Sequence, residues 1–267
     1  MNRIPDLMSK MLTSYRVIPA MYRALQEEGY STDNVEIKEL ARLLGVLPRN
    51  VLPIIKPYKA QIIYAMQDFR HYVDLIGDIP TFEEAYWPAM NEEATLIKNY
   101  APFVTNAAEP KILDIGAGSA PYIEAFYSHN SWPLTYIAVD KREFYGSLLS
   151  SSNLIVRNIT ADIFDWGRNE FDERGINSNI LFLGNFLHCV EDIDAFFSRI
   201  LPCLPNLKLI KILEIKPDCN LDFLFDYHMA QHCGGQRVTA ETIENSLNKP
   251  VEIDTLGDYH NMYTVEL

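Results

Sequence analysis

Apolar positions recur at helical spacing through the first hundred residues and at strand spacing through most of the rest. Between Leu12 and Glu28 the residues Tyr15, Ile18, Tyr22 and Leu25 share one face, with Pro19 at a kink or start and Gly29 as the stop, which predicts an amphipathic helix. A short amphipathic helix is predicted over Val35–Leu44, ending at Gly45, then a third over Pro48–Ala60. Two extended stretches follow, around Ile62–Met66 and His71–Ile76. A helical connector over Phe82–Asn106 leads to Glu109-Pro110, where the texture changes.

Helix, helix, turn, helix and ribbon is the order of a winged helix. Beyond residue 100 the pattern alternates: strand Lys111–Ile115, helix Pro121–Tyr127, strand Thr135–Val139, helix Phe144–Ser150, strands Asn153–Asn158 and Asn179–Leu183, helix Ile193–Leu201 and strand Leu207–Glu214. Strands joined by helical crossovers predict an α/β domain with a parallel, doubly wound sheet and a ligand at the carboxyl ends of its strands. No internal repeat or low-complexity tract occurs.

The segment KILDIGAGSAP (111–121) is a strand ending in a glycine turn that opens a helix. Glycine at 116 and 118 permits positive φ and lets the main chain approach a ligand. A nicotinamide fingerprint needs its third small residue at 121, where Pro121 stands instead, in keeping with a first helical turn. YIAVD (136–140) is an apolar strand ending in a carboxylate twenty-two residues after Gly118. One carboxylate can accept from both hydroxyls of a ribose, so Asp140 is a candidate for that role, the alternative being a solvated turn aspartate. ITADIF (159–164) sets Asp162, a ligand contact or a helix cap, beside Ile163. NILFLGNFLHCVED (179–192) is a buried strand, a polar turn holding His188, and the start of an amphipathic helix.

Together these motifs resemble the class I methyltransferases that use S-adenosylmethionine (SAM), and among them the small-molecule O-methyltransferases of the plant phenolic and bacterial polyketide type. Residues 114–120 are similar to the D-x-G-x-G-x-G loop, with Ala120 in place of the last glycine. Residues 185–192 resemble the N-x-L-H-x-W-x-D stretch, and 226–239 resemble a helix ending in G-G-x-x-R-T. The likeness covers nearly the whole chain, which is compact for that family. It implies a Rossmann-like doubly wound methyltransferase sheet behind an N-terminal, mainly helical, winged-helix-like domain that makes a homodimer. It implies SAM as cofactor and S-adenosylhomocysteine (SAH) as product. Asp114, Gly116 and Gly118 then embrace the methionine tail, Asp140 the ribose, and Asp162 and Ile163 the adenine, with Asn185 among the cofactor contacts.

The same resemblance makes His188 the general base and places Trp87, His228 and His232 around the acceptor. The family brackets its histidine with glutamates. Glu214 stands one residue from one such position, and Arg237 stands at the other. An arginine there can bind a carboxylate or enolate on an acidic acceptor, or cap a helix end. Taken alone, a lone histidine after a strand is more often structural than catalytic. His228 and His232, four apart, share a helix face that also suits a metal, but no H-E-x-x-H pattern or third ligand accompanies them. The fourth strand ends in Gly184 and Asn185 rather than clustered acids, so no metal is expected.

A chain of 267 residues with 48% hydrophobic content can bury one α/β core and a smaller helical domain, which suggests domains at 1–100 and 101–267. No run of eighteen apolar residues occurs and Met1–Lys10 is charged, so a cytoplasmic protein with no membrane partner is expected. Four cysteines without a C-x-x-C pair read as reduced thiols. A net charge of -13 disfavours polyanions, although residues 1–60 hold nine Lys/Arg against six Asp/Glu. Pro48, Pro53 and Pro57 interrupt the would-be recognition helix and leave Arg49, Lys56 and Lys59 for phosphate, so no nucleic acid is expected. The function expected is methyl transfer to a phenol or enol hydroxyl of a secondary metabolite. Its alternatives are non-methyl chemistry such as a cyclisation on the same fold, and a SAM-sensing DNA-binding regulator.

Overall fold

The structure is a computed structural model that describes residues 17–18, 20–26, 31–60, 62–63, 101–130, 133–142, 152–217, 237–256 and 260–267. Most of the expected ribbon and connector, the helix expected over Phe144–Ser150, and Trp87, His228 and His232 lie outside the described residues. The chain divides into two compact units, Met1–Glu93 with Asp218–His232, and Ala94–Pro217 with Cys233–Leu267.

In the first unit residues 17–18 and 20–26 are helical and bury Val17, Ile18, Met21, Tyr22 and Ala24. Helix α1 (Val35–Leu44) follows, and the proline-bearing stretch then breaks into a 3-10 turn (Pro48–Asn50), α2 (Val51–Ile55) and a second 3-10 turn (Lys56–Tyr58). Each proline falls in the first turn of its piece, where a backbone N–H has no intrahelical acceptor to lose. Ile62 and Ile63 are helical, not extended as their β-branched pattern suggests. The burial of Ile55, Tyr58 and Ile62, spaced three and four apart, shows which period wins.

The second unit is built on seven strands: β1 (Lys111–Ile115), β2 (Leu134–Asp140), β3 (Leu154–Thr160), β4 (Ile180–Gly184), β5 (Leu209–Ile215), β6 (Glu252–Leu256) and β7 (His260–Glu266). Their order across the sheet is β3-β2-β1-β4-β5-β7-β6. The first five strands pair in parallel, while β7 runs antiparallel to both β5 and β6. The sheet is therefore mixed rather than wholly parallel. Only residues 257–259 join β6 to β7, too short a link for a crossover, so the two must form a hairpin.

All five residues of β4 are buried, as befits a central strand covered on both faces. The edge strand β6 is exposed except at Leu256 and carries Glu252 and Asp254, charges that discourage pairing with another chain. On one face Leu113, Leu181, Leu183, Ile210 and Ile212 pack against α4 (Arg168–Glu173), α5 (Ile193–Ile200) and α6 (Ala240–Leu247) through Phe171, Phe196, Phe197, Ile200 and Ile243. The other face carries a ring cluster of Phe103, Tyr122, Phe126, Tyr136 and Phe182 beside α3 (Ile123–His129), with Phe126 and Phe182 edge-on at 4.9 Å. From β1 the chain winds outward through β2 and β3, then from β4 through β5 the other way. The carboxyl ends of β1 and β4 thus flank the crevice where doubly wound sheets take ligands. Among the described residues no helix is long and apolar enough to cross a membrane.

Candidate functional site

Most of the expected site residues that are described gather at the carboxyl ends of the strands. Gly116 and Gly118 follow β1, Asp140 ends β2, Asp162 and Ile163 follow β3, Asn185 and His188 follow β4, and Glu214 is the penultimate residue of β5. Arg237 stands apart, just before α6; its guanidinium donates to the Pro217 carbonyl and so joins the two ends of segment 218–236.

The glycine turn is held by the end of β2. Main-chain N–H groups of Gly116 and Ala117 donate to the Val139 carbonyl at 2.9 and 3.1 Å. Three residues of the turn lie in the left-handed region: Gly116 at φ 72°, Gly118 at φ 54° and Ala120 at φ 51°. Ala120, where a third glycine is the family pattern, adopts that conformation at a cost of roughly 1–2 kcal/mol. A Cβ on Gly116 would lie 2.2 Å from Cδ2 of Phe186, so the absent side chain there makes room for a ring.

Asp140 is fastened on both oxygens. Gly118 N–H donates to Oδ2 and Arg142 N–H to Oδ1, each at 2.9 Å. A carboxylate offers about four lone-pair sites, so two remain. Beside it Ala117, Gly118, Ala138, Arg142, Asn158, Ile159 and Thr160 line a shallow, open recess. After β3, Asp162 accepts Phe164 N–H at 2.9 Å and caps the 3-10 turn Ile163–Asp165, so the capping role is real; Ile163 is buried in the core below. Asn185 sits at φ 50° and donates from Nδ2 to the Tyr122 hydroxyl at 3.0 Å.

His188 lies in a 3-10 turn, Leu187–Cys189, and is 5% exposed; Glu214 beside it is 1% exposed. Glu214 accepts twice from it: the main-chain N–H at 3.1 Å on Oε1, and Nδ1 at 2.7 Å on Oε2. A carboxylate on Nδ1 keeps the proton there and makes Nε2 the basic nitrogen. The one-residue offset of Glu214 in the sequence comparison does not keep it from its histidine.

Asp114 is buried at 1% exposure and accepts from the Tyr136 hydroxyl at 2.5 Å. Burial pushes its carboxyl up to about 7; the Tyr136 hydrogen bond opposes this and the Asp140 charge reinforces it. Burial and the Asp114 charge hold the Tyr136 phenol well above its ordinary value, so it stays the donor. The other carboxyl oxygen, Oδ1, is buried without a hydrogen-bond partner.

Three contributors escape a reading of the sequence. Tyr136 offers one signal, a phenol at a buried position of a largely apolar strand. Phe186 reads as a generic apolar residue, and Arg199 as an ordinary basic residue in the last turn of α5.

No protein-family model matches the chain, and no curated protein sequence matches it. Solved structures do match. The pyocyanin biosynthetic protein PhzM aligns with a TM-score of 0.52 at 16% identity, over 84% of this chain and 72% of its own. CalO1, a methyltransferase in calicheamicin biosynthesis solved in an SAH-bound form, aligns with a TM-score of 0.51 at 14% identity, over 82% and 71%. This chain has the class I methyltransferase fold. In that methyltransferase fold the crevice between β1 and β4 is framed here by the glycine turn on one side and the His188–Glu214 pair on the other.

Proposed function

We propose that the chain binds SAM across the carboxyl ends of β1 and β2 and transfers its methyl group to a hydroxyl of a small phenolic or enolic acceptor, with His188 as general base. The observation that carries this reading is the buried His188–Glu214 pair at the ends of adjacent strands β4 and β5. A carboxylate on Nδ1 of a buried imidazole fixes the ring and raises the basicity of Nε2.

The residues present suit the cofactor. Asp140 keeps two acceptor sites beside a recess, the number that two vicinal ribose hydroxyls need. Gly116 and Gly118 carry bare backbone along the turn, with Asp114 as the buried acid beneath it. Asp162 uses Oδ1 for its cap, which leaves Oδ2 for an adenine amino group above Ile163. Asn185 completes the set at the end of β4. When bound, the sulfonium supplies a methyl group already activated toward a nucleophile.

The protein then has two tasks, alignment and proton removal. Alignment contributes the larger share, and a positioned base adds roughly 10²–10⁴-fold. His188 takes the acceptor's proton on Nε2, and Glu214 stabilises the imidazolium formed. Trp87, His228 and His232 are assigned to the acceptor side on the sequence resemblance, with Arg237 closing the segment that carries the two histidines.

Calorimetry with SAH, followed by transfer of label from methyl-labelled SAM to a panel of phenols and enols, tests the proposal. Wild type should bind SAH and label an acceptor, and His188→Ala should bind SAH equally well while losing transfer. A wild-type chain that binds no SAH refutes the reading.

A further inference from the structure

Arg199 lies on α5, outside every motif considered so far, yet its side chain is committed to one place. Nη2 donates to the Ile163 carbonyl at 2.7 Å, and Nη1 donates to the Phe164 carbonyl. The guanidinium also lies 5.4 Å from the centre of the Phe164 ring. The same ring stacks on Phe186 at 6.4 Å and 26°, and Phe186 is the ring resting on Gly116. Phe164 is 44% exposed, a large aromatic surface at the rim of the crevice.

These contacts fall on the turn that Asp162 caps. The Asp162 carboxylate holds the N–H of Phe164, while Arg199 holds the carbonyl of the same residue and of the one before it. The turn is also tied by two 3-10 bonds, Asp165 N–H to the Asp162 carbonyl at 3.1 Å and Trp166 N–H to the Ile163 carbonyl at 3.2 Å, and by burial of Ile163 and Trp166 in the core, while the exposed Phe164 between them is held by the clamp. Its anchor is rigid by contrast. Helix α5 is capped by Asp192, which accepts from Ala195 N–H at 2.8 Å, and it buries Ile193, Phe196, Phe197 and Ile200. A planar fork with fixed donors can bridge two successive carbonyls and lie over a ring at once, which a lysine ammonium cannot do.

We propose that Arg199 is a positioning residue for nucleobase recognition: by clamping the Ile163 and Phe164 carbonyls it aims the Asp162 carboxylate at the amino edge of a purine. This rests on the cofactor reading above. A carboxylate with one oxygen engaged in a cap can accept from an exocyclic amino group through the other, and it is left facing a second acceptor with no proton between them when the amino group is replaced by a carbonyl. Without the clamp the Ile163 and Phe164 carbonyls lose their shared donor, the peptide whose N–H holds the Asp162 carboxylate is freer to tilt, and the discrimination between the two purines goes with it.

The test compares binding of SAH and of its 6-oxo counterpart, S-inosylhomocysteine, to wild type, Arg199→Met and Arg199→Lys, with unfolding midpoints measured alongside. Wild type should prefer the amino purine by about tenfold or more, the equivalent of one charge-assisted hydrogen bond. Both variants should lose about tenfold in SAH affinity and change by less than about twofold toward the 6-oxo compound, so that the ratio approaches one. Arg199→Lys keeps charge and helix propensity, which guards against a folding artefact. Variants that weaken both ligands equally, or that keep the wild-type ratio, overturn the positioning role while the cofactor reading stands. Wild type that binds neither compound overturns both.

Discussion

Replacing Asp114 by asparagine should make the protein more resistant to denaturation at alkaline pH than at acid pH, relative to wild type. The Asp114 carboxyl has an ordinary value of 3.8 and is raised to about 7 in the folded chain, chiefly because it is fully enclosed. The folded state therefore holds this proton more tightly than the unfolded state does. Stability from this group is intact below pH 4, falls as pH rises from about 4 to about 7, and is constant above. At 1.36 kcal/mol per unit the gap is worth about 4 kcal/mol, of which about 3 falls between pH 4.5 and 8. The substituted amide cannot ionise and can still accept from the Tyr136 hydroxyl. Its buried NH₂ adds a penalty that is the same at every pH, so the slope is the diagnostic quantity and not the absolute difference. Urea unfolding of both proteins at half-unit steps from pH 4.5 to 8 measures it. The stability difference should move by about 3 kcal/mol in favour of the variant. Parallel curves refute the argument, because they require the carboxyl to titrate alike in both states.

Other outcomes follow from the same geometry. Glu214→Gln should lower turnover by about 10²-fold or more with little effect on SAH affinity, because the imidazole loses the acceptor that fixes its tautomer; single-turnover label transfer reads it. Asp140→Ala should weaken SAH binding by about 10²-fold in calorimetry, since it removes charge-assisted acceptors and also unfastens Gly118. Gly116→Ala should destabilise by about 1–3 kcal/mol in chemical denaturation, through positive φ and the Phe186 ring 2.2 Å away. Adding Phe186→Ala should recover the steric part only, leaving the backbone strain; a double variant no better than the single one contradicts that division.

Much of the second unit is legible from the chain. Apolar runs such as ILFLG (180–184) place the central strands within a residue or two, because a strand covered on both faces has no polar alternative. The glycine turn, Asp140 and His188 are equally legible, since left-handed backbone and a strand-terminal carboxylate or imidazole leave local signatures. Strands β6 and β7 and helices α4 and α6 are not. Four of the five residues of β6 are exposed, and a strand whose pattern is polar is recognisable only by its partner. The Ile62–Ile63 pair shows the converse, a β-branched signal overruled by helical burial.

The sequence by itself determined which residue types stand at the ends of which strands, and with them the class of ligand the crevice suits. Local chain geometry suffices for that, because a strand, a turn and a helix start are each set within about ten residues. Only the tertiary structure decided which of those residues meet. Glu214 reaches His188 across twenty-six residues of chain, Tyr136 reaches Asp114 across twenty-two, and Arg199 reaches the turn at Ile163 across thirty-six. Such pairings depend on strand order and on which face of a helix turns inward. Those are properties of the packed sheet, in which buried polar groups must find their partners among whatever the packing brings within reach.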